Sequence, residues 1–291
     1  MNQSMFDYLC CPACKSGFKR NMSSLVCRAC KRSYEIRSGI PILIDFVSIP
    51  EHLHKQIRYF EQEDEARGDW VLEPWQARYV RKFLVTAKPK PGGLIVDDAT
   101  GSGYMTIELA KLGYRVIATD LTFKELIKLK KIIANFGLLQ KVLLICANSE
   151  ELPIKSAVAD GLVANAILEH LPKERQAINE IRRVVKKGAP VMVATPLALH
   201  LLLPFLWVTN IIHDRRIGHL RRYDRRSIVR KFTGFIEINT YYTGHMIKVL
   251  CLFLSLFTKM KFWESWGEKV DTVSEHIYYG GSNIISILRK L

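Results

Sequence analysis

The sequence predicts an α/β protein with a doubly wound, mostly parallel sheet of seven strands and a small cysteine-rich domain at its N-terminus. Three observations lead to this prediction. Short apolar runs alternate with helical patterns from residue 94 onward. The first of these runs ends in acidic and small residues and leads into a glycine turn at Gly101 and Gly103. Cysteines near the N-terminus stand in two C-x2-C pairs.

Length and charge limit the class of protein. The chain has 291 residues, 48% of them hydrophobic, which is enough for one substantial core and a small appendage. Its formal net charge of +15 predicts an anionic partner: a nucleic acid, an acidic membrane surface or a phosphorylated substrate. The first residues lack the basic and apolar regions of a secretory signal, and the cysteine spacing favours a reducing environment. We therefore expect a cytoplasmic protein.

The cysteine pairs indicate a structural zinc site. Cys11 and Cys14 form one pair, and Cys27 and Cys30 form the other. Four thiolates at this spacing can close a tetrahedral site with no open position, so zinc would stabilise the segment rather than catalyse a reaction. Two redox dithiols are the alternative, but the strand–helix unit expected beside such a motif is not found in the sequence. We assign no ligand role to the neighbouring Cys10.

Residues 47–90 are expected to form a helical linker or cap. Within them, residues 51–87 are rich in charged and aromatic side chains and predict two helices. These helices either cover the mouth of a ligand site or simply pack on the core. Residues 88–93 contain Pro and Gly and predict a turn before the first strand of the large sheet.

Polar residues stand at the carboxyl ends of the predicted strands. Asp97 ends the first strand, Asp120 the second and Asn165 the fourth, while Asn148 follows the third. Because the carboxyl ends of parallel strands meet at one edge of a sheet, these residues are expected to border a ligand crevice. The strands are predicted at 94–98, 115–120, 142–147, 161–166, 190–196, 236–242 and 283–288.

The glycine turn and Asp120 together predict a cofactor site. Glycine lets the backbone approach a ligand closely, and the helix N-terminus behind the turn attracts an anionic group. Asp120 follows the turn by roughly 20 residues, where an acid can accept hydrogen bonds from a ribose diol. The next helix has a capping box in Thr122 and Glu125, so we expect the Asp120 carboxylate to be available. The alternative is an ordinary strand–helix turn, since G-x-G alone is a weak signal.

Several motifs in order resemble the class I S-adenosylmethionine-dependent methyltransferases of the type 11 group, over about residues 90–235. The motifs lie at 97–103, 119–120, 148–153, 168–172 and 180–188. The resemblance implies a Rossmann-like fold, S-adenosylmethionine as cofactor, and methyl transfer. By this resemblance, Asp97, Gly101 and Gly103 would frame the methionine moiety, and Asp120 would hold the ribose hydroxyls. Asn148, with Ser149 beside it, would face the adenine amino group. The cofactor-binding residues that it implies are Asp97, Ala99, Gly101, Gly103, Asp120, Asn148, Ser149 and Asn165.

The sequence departs from the family pattern at two positions. Ala99 replaces the first glycine of the turn, and Asn148 replaces the acid that usually faces the adenine amino group. Alanine is small, so little harm is expected there, and Asn148 can still accept a hydrogen bond through its side-chain oxygen. Residues 8–45 resemble the zinc-ribbon domain found with methyltransferases, which implies a helper or partner-docking role.

The acceptor side is expected after the fifth strand, in an apolar cap at about 197–223. The apolar run of this cap is too short and interrupted to span a bilayer, and it is either a buried helix or a surface for membrane or a lipid acceptor. The same alternatives apply to the apolar segment 246–257. In the resemblance, His213 and His219 border the acceptor pocket and are candidate bases, as is His170 near the crevice. Each of them can equally be structural.

We therefore expect a methyltransferase domain over 91–291, preceded by the zinc ribbon at 1–46 and the linker. The leading hypothesis is methyl transfer from S-adenosylmethionine to a small or lipid-linked, anionic acceptor, with peripheral membrane contact. An RNA methyltransferase that uses the ribbon and the arginine-rich stretch 213–226 on phosphates is the alternative enzyme. A zinc-ribbon binding protein with a degenerate core is the non-enzyme alternative, and a protein partner of the ribbon fits each hypothesis.

Overall fold

The computed structural model describes residues 3–65, 70–198, 211–212, 214–258, 260 and 262–291. They form a four-stranded antiparallel sheet near the N-terminus and a seven-stranded sheet in the rest of the chain. The small sheet contains β1 (Phe18–Arg20), β2 (Ser24–Cys27), β3 (Ser33–Arg37) and β4 (Ile40–Pro41). The large sheet contains β5 (Leu94–Asp98), β6 (Arg115–Asp120), β7 (Val142–Cys146), β8 (Gly161–Asn165), β9 (Pro190–Pro196), β10 (Phe235–Thr243) and β11 (Asn283–Lys290).

The large sheet confirms the predicted doubly wound α/β fold. Its strands follow the order β10-β11-β9-β8-β5-β6-β7. Strands β5 to β9 pair in parallel, whereas β11 is antiparallel to both of its neighbours. The chain therefore winds outward from β5 in one direction through β6 and β7, and in the other through β8 and β9. The strand order reverses between β5 and β8, which is where open α/β sheets bind their ligands.

Helices bury both faces of the parallel strands. Along β5, Leu94 and Val96 contribute to one apolar cluster and Ile95 to the other, as expected when successive side chains point to opposite faces. The continuous apolar runs that predicted these strands follow from this two-sided burial. The helices are α1 (Glu51–Glu65), α2 (Pro74–Lys82), α3 (Tyr104–Lys111), α4 (Phe123–Asn135), α5 (Glu174–Val184), α6 (Arg225–Lys231), α7 (Met246–Thr258) and α8 (Phe262–Val273).

The small sheet docks on the edge of the large one beside β7. The Leu43 N–H donates to the Cys146 carbonyl at 2.8 Å, and Ile42 forms a parallel bridge with Cys146. Leu9 forms an antiparallel bridge with Ile154, in the connection between β7 and β8. The side chains of Leu9, Leu43 and several cysteines belong to the same buried cluster as the core of the large sheet. The two sheets therefore share one hydrophobic core.

The structure adds one helix that the sequence analysis did not identify. This helix is α8, which contains Trp263 and Trp266 and packs beside α7. Within the described residues, no helix is both long and apolar enough to cross a bilayer.

Candidate functional site

The turn after β5 adopts a conformation that suits glycine. Ala99, Gly101 and Gly103 all have positive φ angles, of 58°, 51° and 78°. A Cβ atom on Gly103 would lie 2.1 Å from Cδ1 of Leu129, so the close packing of α4 requires glycine there. A Cβ on Gly101 would meet nothing within 4 Å. The turn therefore has a packed side at Gly103 and an open side at Gly101, where a ligand can approach the backbone.

Asp97 stabilises this turn through hydrogen bonds from two threonines. The side chain is buried, and its Oδ2 accepts hydrogen bonds from the hydroxyls of Thr100 at 2.7 Å and Thr106 at 2.6 Å. These bonds join the end of β5, the turn and the first helical turn of α3. Burial raises the pKa of Asp97. The expectation that Asp97 frames the methionine moiety stays a prediction, and the contacts observed give the residue a structural part in shaping the turn.

Asp120 connects the ends of β5 and β6. Its Oδ2 accepts from the Gly101 N–H and its Oδ1 from the Thr122 N–H, both at 2.9 Å. The predicted capping box is not seen: Thr122 occupies the N-cap position without a capping hydrogen bond from its side chain, and its hydroxyl interacts with Asp120. Each oxygen of Asp120 is thus already engaged. With the Thr122 hydroxyl as a further partner, few of the roughly four acceptor positions of the carboxylate remain for a ribose diol.

The segment after β7 was expected to contact adenine, and its two polar side chains have other partners. Oδ1 of Asn148 accepts from the Glu150 N–H at 2.9 Å and caps the short 3-10 turn at Ser149–Glu151. The Ser149 hydroxyl donates to Oδ1 of Asp98 at 2.8 Å and therefore points into the core. The Asn148 oxygen that was expected to accept a hydrogen bond from adenine therefore already accepts one from the Glu150 N–H.

Asp98 is a residue of the site that the sequence analysis missed. It is fully buried, and the hydroxyls of Thr119 and Ser149 donate to its Oδ1, both at 2.8 Å. Its Oδ2 has no hydrogen-bond partner among the described residues. Burial, together with the nearby Asp97 and Asp120, raises the pKa of Asp98 to about 6. The two consecutive acids at 97 and 98 could have revealed this buried residue. Successive side chains of a strand point to opposite faces of the sheet, and helices cover both faces of this one, so both acids must be buried.

Asn165, at the end of β8, connects the helix that follows the glycine turn to a large cavity. Its Nδ2 donates to the Tyr104 hydroxyl at 2.6 Å at the start of α3, and the Tyr104 ring contacts Trp75 edge-on with a centroid distance of 5.5 Å. The cavity has a volume of about 1050 Å³ and lies between α2, the ends of β8 and β9, and the helices α7 and α8. Its wall includes apolar side chains such as Trp75, Tyr79 and Val249.

Two of the candidate catalytic histidines lie together at this cavity. Their rings are in edge contact, with centroids 4.7 Å apart, but only His219 lines the cavity, while His170 is buried. Nδ1 of His219 is 2.8 Å from Oδ1 of Asp214. Burial and the adjacent His219 lower the pKa of His170 to about 3, so that ring is neutral at physiological pH. His213 and most of the apolar cap, residues 199–210, lie outside the described residues.

Glu169 completes the wall beside the two histidines, and the sequence analysis gave it no role. The side chain is 1% exposed and lines the cavity. Neither of its carboxylate oxygens has a hydrogen-bond partner in the part of the chain that the structure describes. Burial raises the pKa of Glu169 to about 8. The motif at 168–172 contained the residue, but its burial depends on the fold around it.

The four predicted zinc ligands converge at the tip of the small sheet. The Sγ atoms of Cys11 and Cys30 are 3.7 Å apart and those of Cys14 and Cys27 are 3.4 Å apart. All four sulfurs lie within 4.8 Å of one another. Sulfurs bound to zinc at about 2.3 Å in a tetrahedron are about 3.8 Å apart, so the cluster fits this ion. The Cys10 thiol is buried, which raises its pKa to about 11.

Known proteins match this chain in two separate ways. The family model "Methyltransferase domain" matches residues 96–193. A ubiquinone/menaquinone biosynthesis C-methyltransferase of Wigglesworthia glossinidia brevipalpis is 29% identical over 107 residues, which are 35% of this chain and 42% of that protein. A demethylmenaquinone methyltransferase of Corynebacterium urealyticum is 30% identical over 120 residues, 41% of this chain and 47% of that protein. The chain thus spans less than half the length of these two enzymes.

The second match is to a UPF0434 protein of Nitrosococcus oceani, 33% identical over 67 residues that make up 22% of this chain and 98% of that protein. That stretch of the chain belongs to the UPF0434 family.

Solved structures agree with the fold. Phosphoethanolamine N-methyltransferase 2 of Haemonchus contortus has a TM-score of 0.59 at 17% identity, with 86% of this chain and 61% of that chain covered. A geranyl diphosphate C-methyltransferase of Streptomyces coelicolor has a TM-score of 0.55 at 14% identity, with 74% and 76% covered. The strand order, the glycine turn and the family match agree: residues 96–193 match a methyltransferase domain, and the sheet around them has the fold of the class I S-adenosylmethionine-dependent methyltransferases.

Proposed function

We propose that this protein transfers the methyl group of S-adenosylmethionine to a small or lipid-linked acceptor held in the cavity beside β8 and β9. The observation that carries the proposal is the position of that cavity. Asn165 lines it and also hydrogen-bonds Tyr104 at the start of the helix behind the glycine turn. A cofactor on the turn and an acceptor in the cavity would therefore meet at the end of β8, as in-line transfer requires.

The cofactor side of the proposal is supported by the open space at Gly101 and by Asp120. When bound, S-adenosylmethionine supplies an electrophilic methyl group on a sulfonium ion. The residues of this chain would hold and orient it: the backbone of the turn receives the methionine moiety, Asp120 the ribose and the segment at Asn148 the adenine. His219 is the candidate base that we propose to face the acceptor, because it lines the cavity.

The cavity favours an acceptor with a substantial apolar part. The described cations on its wall, Arg78 and Lys248, are already paired: Nη2 of Arg78 is 2.5 Å from Oδ2 of Asp271, and Lys248 contacts Glu268. No unpaired cation of the described wall is therefore available to recognise an anionic acceptor, which was the sequence-based expectation. An acceptor with an apolar part is also consistent with the names of the similar proteins, which refer to ubiquinone, menaquinone and geranyl diphosphate.

The helices α7 and α8 offer a route for a lipid-linked acceptor. Four large apolar side chains of α7 are at least 48% exposed, and Phe262 and Trp266 of α8 are 58% and 43% exposed. Val249 of α7 is exposed on this surface and also lines the cavity. We propose that this surface contacts the membrane peripherally, because apolar helical faces partition into the interface. The four residues of α7 are Ile247, Val249, Leu250 and Phe257.

The arrangement of the arginines argues against RNA as the substrate. Within the basic stretch, Arg222 pairs with Asp214 at 2.7 Å, Arg225 with Glu237 at 2.8 Å, and Arg221 donates to the Leu171 carbonyl at 2.6 Å. Arginines committed to internal partners have fewer donors left for phosphates. The zinc ribbon is proposed to stabilise the domain and the segment after β7, on which it docks. The boundaries at residues 46 and 90 stay predictions.

The test is transfer of labelled methyl from S-adenosylmethionine into a cell extract, followed by separation into organic, RNA, protein and aqueous fractions. Label in the organic fraction that is lost with the Asp120→Asn variant is the expected result. Label in RNA would overturn the proposed acceptor class. Calorimetry with S-adenosylhomocysteine tests the non-enzyme alternative separately, because a degenerate core would show no binding even at millimolar cofactor.

A further inference from the structure

Three side chains at the wall of the cavity have the donor set of a metal centre. A carboxylate oxygen of Glu169 and one ring nitrogen each of His170 and His219 lie within 4.8 Å of one another. The Nε2 of His219 is 3.9 Å from Oε1 of Glu169. Two of the three residues, Glu169 and His219, line the cavity. Sequence reasoning treated the histidines as separate candidate bases and did not bring them together with a carboxylate.

Three buried polar atoms of Glu169 and His170 lack hydrogen-bond partners among the described residues. Glu169 is 1% exposed and His170 is 7% exposed. Among the described residues, neither oxygen of Glu169 nor Nδ1 of His170 has a hydrogen-bond partner. A buried polar atom without a partner is costly, so these atoms point to a ligand that completes the cluster. The nearby Arg221 does not satisfy them, since its Nη1 donates to the carbonyl of Leu171.

His219 is oriented as metal-binding histidines are. Oδ1 of Asp214 lies 2.8 Å from Nδ1 of His219, which places the proton on Nδ1 and directs Nε2 toward Glu169. Asp214 is itself held by Arg222, whose Nε and Nη2 lie 2.7 and 2.8 Å from its two oxygens. A carboxylate behind a ligating imidazole fixes the ring and its tautomer in many metal sites.

We propose that Glu169, His170 and His219 bind a divalent transition-metal ion at the wall of the acceptor cavity. Two histidines and one carboxylate leave coordination positions open, here toward the cavity. Ligand atoms bound at about 2.1 Å in a tetrahedral site are about 3.4 Å apart, so a pair at the 4.8 Å limit would have to close by up to about 1.4 Å on binding. The imidazole ligands favour zinc, iron(II) or a similar ion over magnesium and calcium, which prefer oxygen ligands.

The role of the ion depends on the methyl transfer proposed above. The existence of the metal site does not depend on that proposal. An acceptor hydroxyl bound to the ion would lose its proton to solvent, because the ion lowers the pKa of a bound hydroxyl. With the ion bound, His219 would be a ligand and would not act as the base proposed above. The oxygen lone pair then forms the new O–CH3 bond while the S–CH3 bond breaks and its electron pair returns to sulfur. The products are the methyl ether and neutral S-adenosylhomocysteine.

The experiment is a count of Co2+ bound to the full-length protein after removal of all metal. A four-cysteine site gives intense thiolate-to-cobalt absorption, whereas a site of two imidazoles and a carboxylate gives only weak visible bands. We expect the unaltered chain to bind two ions, one of each kind. Glu169→Gln and His219→Gln should each weaken the second site at least tenfold and leave the thiolate absorption unchanged, which also reports that the variant is folded.

Glu151→Gln and His276→Ala are the matched controls, because both side chains are exposed and neither belongs to the cluster. Both should bind two ions. The proposal is overturned if the unaltered chain binds only the thiolate-ligated ion, or if the second ion binds equally well to Glu169→Gln and His219→Gln. The ion count does not depend on turnover, so a protein without methyltransferase activity can still show the site, and an active one can lack it.

Discussion

Replacing Gly101 by alanine should separate cofactor binding from folding. The residue has a φ of 51°, and a left-handed conformation costs alanine about 1–2 kcal/mol relative to glycine. The lower entropy of the unfolded alanine chain returns about 0.4–1 kcal/mol. A Cβ at this position meets no atom within 4 Å, so no packing cost is added. We therefore expect a net loss of about 1 kcal/mol in the free energy of unfolding. Ala99, two residues earlier with a φ of 58°, shows that this turn accepts alanine in the same conformation.

The affinity should respond much more strongly than the stability. The added methyl group occupies the space through which the cofactor reaches the backbone of the turn. If that space is the cofactor site, the Kd for S-adenosylhomocysteine should rise at least tenfold, which corresponds to about 1.4 kcal/mol. Isothermal titration calorimetry measures the affinity, and thermal unfolding of the unliganded protein measures the stability. An affinity within twofold of the unaltered protein would refute the placement of the cofactor on this turn.

Gly103→Ala is the control for this experiment, because it should reduce the stability of the protein more than Gly101→Ala does. Its Cβ would lie 2.1 Å from Cδ1 of Leu129, a fully packed residue, and its φ is 78°. Overpacking of about 1–3 kcal/mol adds to the conformational cost of about 1–2 kcal/mol. With the same return of about 0.4–1 kcal/mol from the unfolded chain, we expect a loss of roughly 1–5 kcal/mol in the free energy of unfolding, about 1–3 kcal/mol more than for Gly101→Ala.

Three further predictions concern charged or metal-binding groups. Asp120→Asn should weaken S-adenosylhomocysteine binding by about 1–3 kcal/mol in calorimetry, because the amide loses one of two acceptor oxygens and the charge, and unchanged affinity would show that this carboxylate does not hold the ribose. The pKa of Asp98 is raised to about 6 by burial, so the folded state keeps a proton that the unfolded chain releases near pH 4. Asp98 should therefore contribute a loss of stability of up to about 3 kcal/mol as the pH rises from about 4 to about 6, and denaturant titrations of Asp98→Asn should lack this contribution; parallel pH profiles of the two proteins would contradict the assignment. Cys27→Ser should lose the ribbon zinc in native mass spectrometry, and a variant that retains the ion would show that the ligand set is wrong.

The sheet could be predicted from the sequence because its signals are local. Each strand from β5 to β9 is a short apolar run, and each connection carries a helical pattern or turn residues. The positions of Asp97, Asp120 and Asn165 at strand ends follow from those same runs. The reversal of strand order between β5 and β8 then brings these ends together, which is a general property of doubly wound sheets.

The features that were missed depend on contacts between distant segments. The bridge from Leu9 to Ile154 joins residues far apart in the chain, and no periodic pattern announces it. The burial of Glu169 depends on the segment around His219, which follows it by some fifty residues along the chain. The expected capping box failed for a more local reason. The hydroxyl of Thr122 turns toward Asp120, which already accepts from the Thr122 N–H.

The docking of the small sheet beside β7 has a consequence for self-association of the protein in solution. A bare edge strand presents unpaired N–H and C=O groups to any other extended chain. Here the residues after β4 cover the carboxyl end of that edge through the bond from Leu43 to Cys146. If zinc maintains the small sheet, its loss would uncover this edge before the large sheet unfolds. Metal depletion should then appear first as self-association, at protein concentrations where the metal-loaded chain stays dispersed.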